Sequence, residues 1–362
     1  MRTVRAFVPA LGPAFGASLL FTLSGPGEKI AFHPAAGSSL ERSYLIEGDF
    51  SLDELSVVVD GQDMGAALAS FEMSMEQETR IEVTDVFVAL SEGRPSKLER
   101  TFGALSSSLK MTMSGPMQEG GDQDFKSASP LEGQTVVFQW NEEKGEFDLH
   151  FSEDDGEAEL LEGLVEDMDL RAFLPDAEVA KDDTWSVPLE ELSVLYMPGG
   201  DLSLKPEGLD LDEEGMEMMK QIFSDFGEDF SELIEGECTC TFAGSREEEG
   251  VRLAEITVAI EAASTFDLTE MIAKILESAV QSSGVEMPNI SLDTADLNLD
   301  FDGGGTLLWD LEAGRLHSFQ LQGDVTIDLD LAVSLEVEGE SHALDASFEM
   351  SGSMSEEYGT KE

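Results

Sequence analysis

Val325, Ile327, Leu329, Leu331, Val333, Leu335 and Val337 alternate with polar or small residues without a break. A period of two over that many residues is the mark of a β-strand with one face buried, because successive side chains point to opposite sides. At about 3.3 Å per residue the run spans roughly 43 Å, several times the usual strand. A strand this long needs partners of similar length, so the chain must build a sheet of long strands. The alternation resumes at Leu344, Ala346, Phe348 and Met350, after a turn near Gly339. Upstream, Leu297, Leu299 and Phe301 alternate with Asp296, Asn298, Asp300 and Asp302. One apolar face and one acidic face predict an antiparallel sheet with one wet side.

Two hexapeptides punctuate these strands. "WDLEAG" at 309–314 and "WNEEKG" at 140–145 share Trp, Asn or Asp, Glu and Gly in the same places. Each Trp closes an alternating run and a second run follows the Gly, so the motif predicts a hairpin loop rather than a repeated active centre. Phe71, Ser74, Glu76 and Glu78 find counterparts in Phe242, Ser245, Glu247 and Glu249. Ser96 and Glu99 have capping-box spacing, repeated by Asp267 and Glu270. The near-constant offset predicts an internal duplication, with 40–152 matching 210–322.

Three stretches show helical spacing. Leu98, Phe102, Leu105 and Leu109 form one stripe, and Leu268, Ile272, Ile275, Leu276 and Ala279 a second. Between 214 and 234, Met216, Met219, Phe223, Phe226, Phe230 and Leu233 form an apolar seam suited to covering a sheet. The expected fold is therefore α+β: long antiparallel sheets, half-barrel-like, with helices packed on one face. The expected organisation is an export signal at 1–24, β-rich units at 25–198 and 199–352, and a mobile tail at 353–362. Loops with little structure are expected at 114–132 and 198–212.

The chain carries 77 Asp plus Glu against 20 Lys plus Arg, a net charge of −57. That field repels nucleic-acid phosphates and anionic membrane surfaces. With 41% hydrophobic residues the chain can still bury a core, so it is not a disordered acidic tail. Arg2 and Arg5 precede an uncharged apolar run ending near Thr22 and Ser24, the pattern of an export signal. No later stretch reaches the roughly 20 apolar residues of a spanning helix.

Cys238 and Cys240 sit two apart in "CTCTF". On a regular strand they lie on one face about 6.6 Å apart, too far for a disulfide, and read as small core residues. Together with "MSM" at 73–75 and "MTM" at 111–113 they are also candidate ligands for a soft metal such as Cu(I). Asp210 and Asp212 open a calcium-loop pattern, but its twelfth position is Gln221; "NLDFDG" at 298–303 ends on Trp309 instead. Asp296, Asp300 and Asp302 are candidates for weak Ca²⁺ adsorption, and no other cofactor is expected. The four histidines, His33, His150, His317 and His342, have no paired metal spacing. Ser107 and Lys110 fit S-x-x-K without the partner motifs that give it meaning.

"LPDAEVAKDDTWSVP" at 174–188 and "GGGTLLWDLEAGRL" at 303–316 resemble the "LP…V…GDTW" and "G.L.WD…GRL" phrases of exported, β-rich bacterial proteins of unknown function, with Asp182 in place of the usual Gly. The resemblance implies an envelope or extracellular location and no known activity. The expected architecture also resembles the half-barrels of periplasmic lipoprotein carriers. The sequence thus predicts a non-enzymatic exported protein, in the periplasm, the envelope or outside the cell. It would act through its acidic surface or a protein partner. A periplasmic carrier of an apolar ligand such as an acyl chain is the alternative, and a hydrolase without a recognisable motif the third.

Overall fold

The computed structural model describes residues 27–91, 93–115, 118–153, 156–207, 233–274, 289–337 and 340–361. The first half contains β1 (Ser39–Val59), β2 (Gln62–Asp63), α1 (Gly65–Leu68), β3 (Glu72–Ser91), β4 (Arg94–Gly115), β5 (Gln118–Ala128), β6 (Thr135–Asn141) and β7 (Glu146–Phe151). Then come β8 (Thr184–Val187), α2 (Ser193–Tyr196), β9 (Lys205–Pro206), β10 (Ile234–Glu248), β11 (Val251–Asp267), β12 (Asn289–Asp310), β13 (Arg315–Val337) and β14 (Glu340–Lys361). All fourteen strands join one antiparallel sheet whose main path is β7-β6-β4-β3-β1-β14-β13-β12-β11-β10-β8. The alternating run at 325–337 is the second half of β13, which pairs along its length with β12 and β14.

This corrects the α+β expectation. Among the described residues the only helices are short, and no row of helices covers a sheet face. The first predicted helix, over Leu98–Leu109, lies within β4. Its helix-like step from Phe102 to Leu105 comes from a β-bulge: these two residues oppose Val83 and Ile81, which are only two apart. Residues 269–274 are helical, and the Asp267 carboxylate accepts the Thr269 N–H at 2.9 Å, as a cap should. The rest of that stripe, and the seam at 214–232, lie outside the described residues. The loop expected at 114–132 contains β5, and the tail expected to be mobile is the end of β14, with Tyr358 fully buried.

The Trp hairpins match closely. In one, Gly145 donates to the Asn141 carbonyl at 2.9 Å while the Asn141 side chain accepts from the N–H groups of Glu143 and Lys144. In the other, Gly314 donates to Asp310 at 2.9 Å and the Asp310 carboxylate accepts from Glu312 and Ala313. Gly145 and Gly314 take φ of 76° and 61°, the left-handed conformation the turn requires. The other paired signals fall in unlike elements. Phe71 precedes β3, whereas Phe242 lies inside β10; Ser96 and Glu99 lie in β4, whereas Asp267 ends β11. Asp182 takes φ of 70°, in the left-handed region that favours glycine.

The core lies between the inner face of the sheet and the segment 156–204, which packs into one end of it. Met168, Leu170, Phe173, Leu192 and Leu195 from that segment are buried with Tyr44, Ile81, Leu98, Leu307, Phe319 and Tyr358. Indole N–H groups tie down two loops: Trp309 donates to Ala31 O and Trp185 to Phe173 O, each at 3.2 Å. Beyond this plugged end the inner face stays apolar, but Leu297, Leu299, Phe301, Val325, Ile327, Leu329 and Phe348 are only half-buried. There the Phe301 ring lies across Gly303 and Gly323, where an added Cβ would come within 2.4 and 2.5 Å of it.

Candidate functional site: an acidic sheet face above a buried charge network

The outer face concentrates carboxylates because register places them opposite one another. Asp296 on β12 stands between Asp267 on β11 and Asp330 on β13; Asp302 stands between Glu261 and Asp324. Asp300 lies between these rows, opposite Thr326. Across β1 and β3, Glu47 faces Glu78 and Asp49 faces Glu76, while Asp328 faces Glu349 across β13 and β14. Like charges directly opposite destabilise a sheet. Two shallow depressions of about 480 and 530 Å³ lie on this face and share Asp49, Glu76 and Ser353. Lys110 and Lys126 line the first, with Lys110 3.8 Å from Glu76. Among the described residues, no three His, Cys, Asp or Glu groups stand close enough to hold one metal ion. Asp210 and Asp212 lie outside the described residues.

Beneath the sheet is a buried network that periodicity alone did not single out. Asp85 on β3 receives a two-pronged ion pair from Arg100 on β4, at 2.8 and 2.9 Å, and a second from Arg42 on β1. Arg42 also pairs with Asp169 at 2.5 Å. Arg100 donates to the carbonyls of Val165 and Glu166, and Tyr44 to that of Met168. Arg171 pairs with Glu166 at 2.7 Å and lies over the Phe32 ring. Burial pushes Asp85 up, yet Arg100 and Arg42 together hold its carboxyl below the ordinary range. Burial wins at Glu166, raised to about 7 against the pull of Arg171, and at Asp169, raised despite Arg42 and Arg171. Through these contacts the network docks the 165–171 loop against β1, β3 and β4. The readable signal was charge in the apolar phase of a strand: Leu40-x-Arg42-x-Tyr44, Val83-x-Asp85-x-Phe87 and Leu98-x-Arg100-x-Phe102.

A second buried acid lies on β14. The Tyr358 hydroxyl is 2.8 Å from both Leu195 O and a Glu356 carboxyl oxygen. It has one hydrogen for two acceptors, so both contacts are satisfied when Glu356 is the neutral acid and donates to the tyrosine oxygen. Burial pushes Glu356 up to about 8 from 4.5, only partly offset by the Tyr358 hydrogen bond. A raised acid favours the folded state while it holds its proton. Its contribution is therefore lost as pH rises from about 4.5 to about 8, at roughly 1.4 kcal/mol per unit, and levels off above. Glu356→Gln, which keeps the donor and cannot ionise, is expected to gain on the native protein in unfolding free energy across that window. A pH-independent difference would show that Glu356 does not titrate there.

Cys238 and Cys240 are both buried and unbridged on the inner face of β10. The Cys238 hydrogen bond, and after it burial, push the Cys240 thiol up, away from the reactive thiolate. Native protein should resist thiol labelling and yield two labelled cysteines on unfolding; rapid native labelling would contradict the burial. The methionine motifs stand on β3 and β4, and five strands of the sheet path lie between β3 and β10, so the structure does not unite them with the cysteines. Ser107 and Lys110, three apart on β4, point to opposite faces, as do any residues an odd number apart on a regular strand.

No protein-family model and no curated protein matches the sequence. Among solved structures the chain is similar to the outer membrane protein OprG from Pseudomonas aeruginosa, with 9% identity over 91% of this chain and 99% of that one, at a TM-score of 0.20. It is also similar to an outer membrane channel from Pseudomonas putida F1, with 7% identity over 93% and 99% of the two chains, again at 0.20. No helix among the described residues is long and apolar enough to cross a membrane.

Proposed function

We propose that this is a non-enzymatic protein exported to the cell envelope, whose acidic outer sheet face binds a basic protein partner. One observation carries the reading: carboxylates stand directly opposite one another across β11, β12 and β13 and again across β1 and β3. Such pairs cost stability in the free protein, and a cationic partner relieves that cost as it binds. Arg2 and Arg5 ahead of an uncharged apolar run support export, and fractionation of native cells tests it.

Titration calorimetry with a lysine-rich peptide tests the face itself. Asp296→Asn/Asp302→Asn/Asp324→Asn/Asp330→Asn is expected to weaken binding more than Glu142→Gln/Glu143→Gln/Glu247→Gln/Glu249→Gln, which removes equal charge from hairpins. Equal weakening would mean that net charge acts without a site, and would overturn the reading.

The half-buried apolar band from Leu297 to Phe348 favours a second reading, a carrier of an acyl chain or similar ligand. Lipid extracted with the native protein and identified by mass spectrometry would support it; no lipid and no saturable dye uptake would remove that support.

A further inference from the structure

The inner face of β3 and β4 differs from the rest of the apolar face. On β12 and β13 that face is built from Leu297, Leu299, Ile327 and Leu329. On β3 and β4, Met73 stands directly opposite Met113, and Met75 directly opposite Met111. Direct partners share a face, as do residues two apart on a strand. The four methionines therefore occupy the corners of a rectangle, and all four are half-buried.

The dimensions suit convergence on one ion. Cross-strand Cβ atoms are about 4.5–5.5 Å apart and successive same-face residues about 6.6 Å, so each corner stands roughly 4 Å from the centre. A thioether sulfur, two bonds beyond Cβ on a flexible stem, can swing over that centre from any corner. We propose that Met73, Met75, Met111 and Met113 form a thioether site for a soft monovalent cation, Cu(I) or Ag(I).

The surroundings fit that class of ion. Thioethers are soft, neutral ligands that select Cu(I), whereas Ca²⁺ and Mg²⁺ require oxygen. On the β1 side Met75 faces Phe50; on the β5 side Met111 faces Gln123 and Met113 faces Gly121. A Cβ added at Gly121 would meet nothing within 4 Å, so that side of the rectangle is open to an arriving ion. The net charge of −57 raises the local concentration of any cation near the protein. Coordination forms four dative bonds and needs no electron or proton transfer.

Ag(I), which unlike Cu(I) is not oxidised to a divalent ion in aerated water, is the probe. In chloride-free buffer, Ag(I) titrated into full-length protein labelled with ¹³C-methyl methionine is expected to shift these four methyl resonances together, saturating at one ion per chain. Met73→Leu/Met75→Leu/Met111→Leu/Met113→Leu, conservative in volume, should lose that binding, whereas Cys238→Ser/Cys240→Ser should keep it. Four unshifted methyl resonances in the native protein would overturn the proposal, whether or not the leucine variant folds. So would Ag(I) binding that survives in the leucine variant and disappears in the serine variant, which would assign the ion to the cysteines.

Discussion

Replacing Asp85 with Asn is expected to destabilise the protein by about 3–5 kcal/mol, the usual cost of removing one partner from a buried ion pair. Arg42, Asp85 and Arg100 are all 2% exposed or less. The substitution leaves Arg100 with only carbonyl acceptors and Arg42 with Asp169 alone. Two buried guanidinium groups then face one carboxylate fewer, and neither can shed its charge. The loss should spread to the 165–171 loop, because the same arginines hold its carbonyls and Asp169. Chemical denaturation measures the stability, and hydrogen exchange at Val165 and Glu166 reads the local effect. A companion variant, Asp85→Leu with Arg100→Met, removes the charge pair together and should recover part of the loss, since well-packed apolar replacements of buried ion pairs are often tolerated. A change in Asp85→Asn within about 0.5 kcal/mol of the native protein, the range of an ordinary surface substitution, would contradict the network.

Salt is expected to act in the opposite direction and on the other side of the sheet. The Debye length falls from about 30 Å at 0.01 M to about 3 Å at 1 M, so molar NaCl screens carboxylates on neighbouring strands. Opposed pairs such as Asp296 with Asp330, Asp302 with Asp324 and Glu47 with Glu78 each cost on the order of 0.2–1 kcal/mol. Their sum, with the longer-range repulsion of a −57 chain, should raise Tm by roughly 10 °C or more between these salt concentrations. If Asp296, Asp300 and Asp302 also gather Ca²⁺, millimolar CaCl₂ should stabilise beyond NaCl of matched ionic strength, because ligation adds to screening. Melts that do not respond to NaCl would defeat the screening argument. Coincident matched melts would defeat the calcium one.

The two faces were legible in the sequence because a strand repeats every two residues and its environment differs on its two sides. Thus Asp296, Asn298, Asp300 and Asp302 could be assigned outward, and Leu297, Leu299 and Phe301 inward, without any partner strand. The Trp-to-Gly turns were legible for a related reason: a short polar loop ending in a positive-φ glycine is a local solution, closed by its own Asn141 or Asp310. Helical spacing was the misleading signal. Phe102 and Leu105 satisfy a helix on paper, but one bulge in β4 places both on the inner face opposite consecutive inward residues of β3. A period read from one strand cannot register an insertion whose meaning lies in its neighbour.

What the sequence determined by itself is therefore what depends on short range: long strands, an acidic and an apolar side, hairpin turns, and two cysteines spaced too far apart to bridge. Only the tertiary structure decided which charges meet. Arg42, Asp85, Arg100 and Asp169 come from three strands and a distant loop, with Arg42 and Asp169 separated by 127 residues. Each by itself is a charged residue in the apolar phase of a pattern, or an acid among many. Their pairing becomes favourable only when the sheet and the inserted segment remove water from all of them at once, and that condition belongs to the assembled fold.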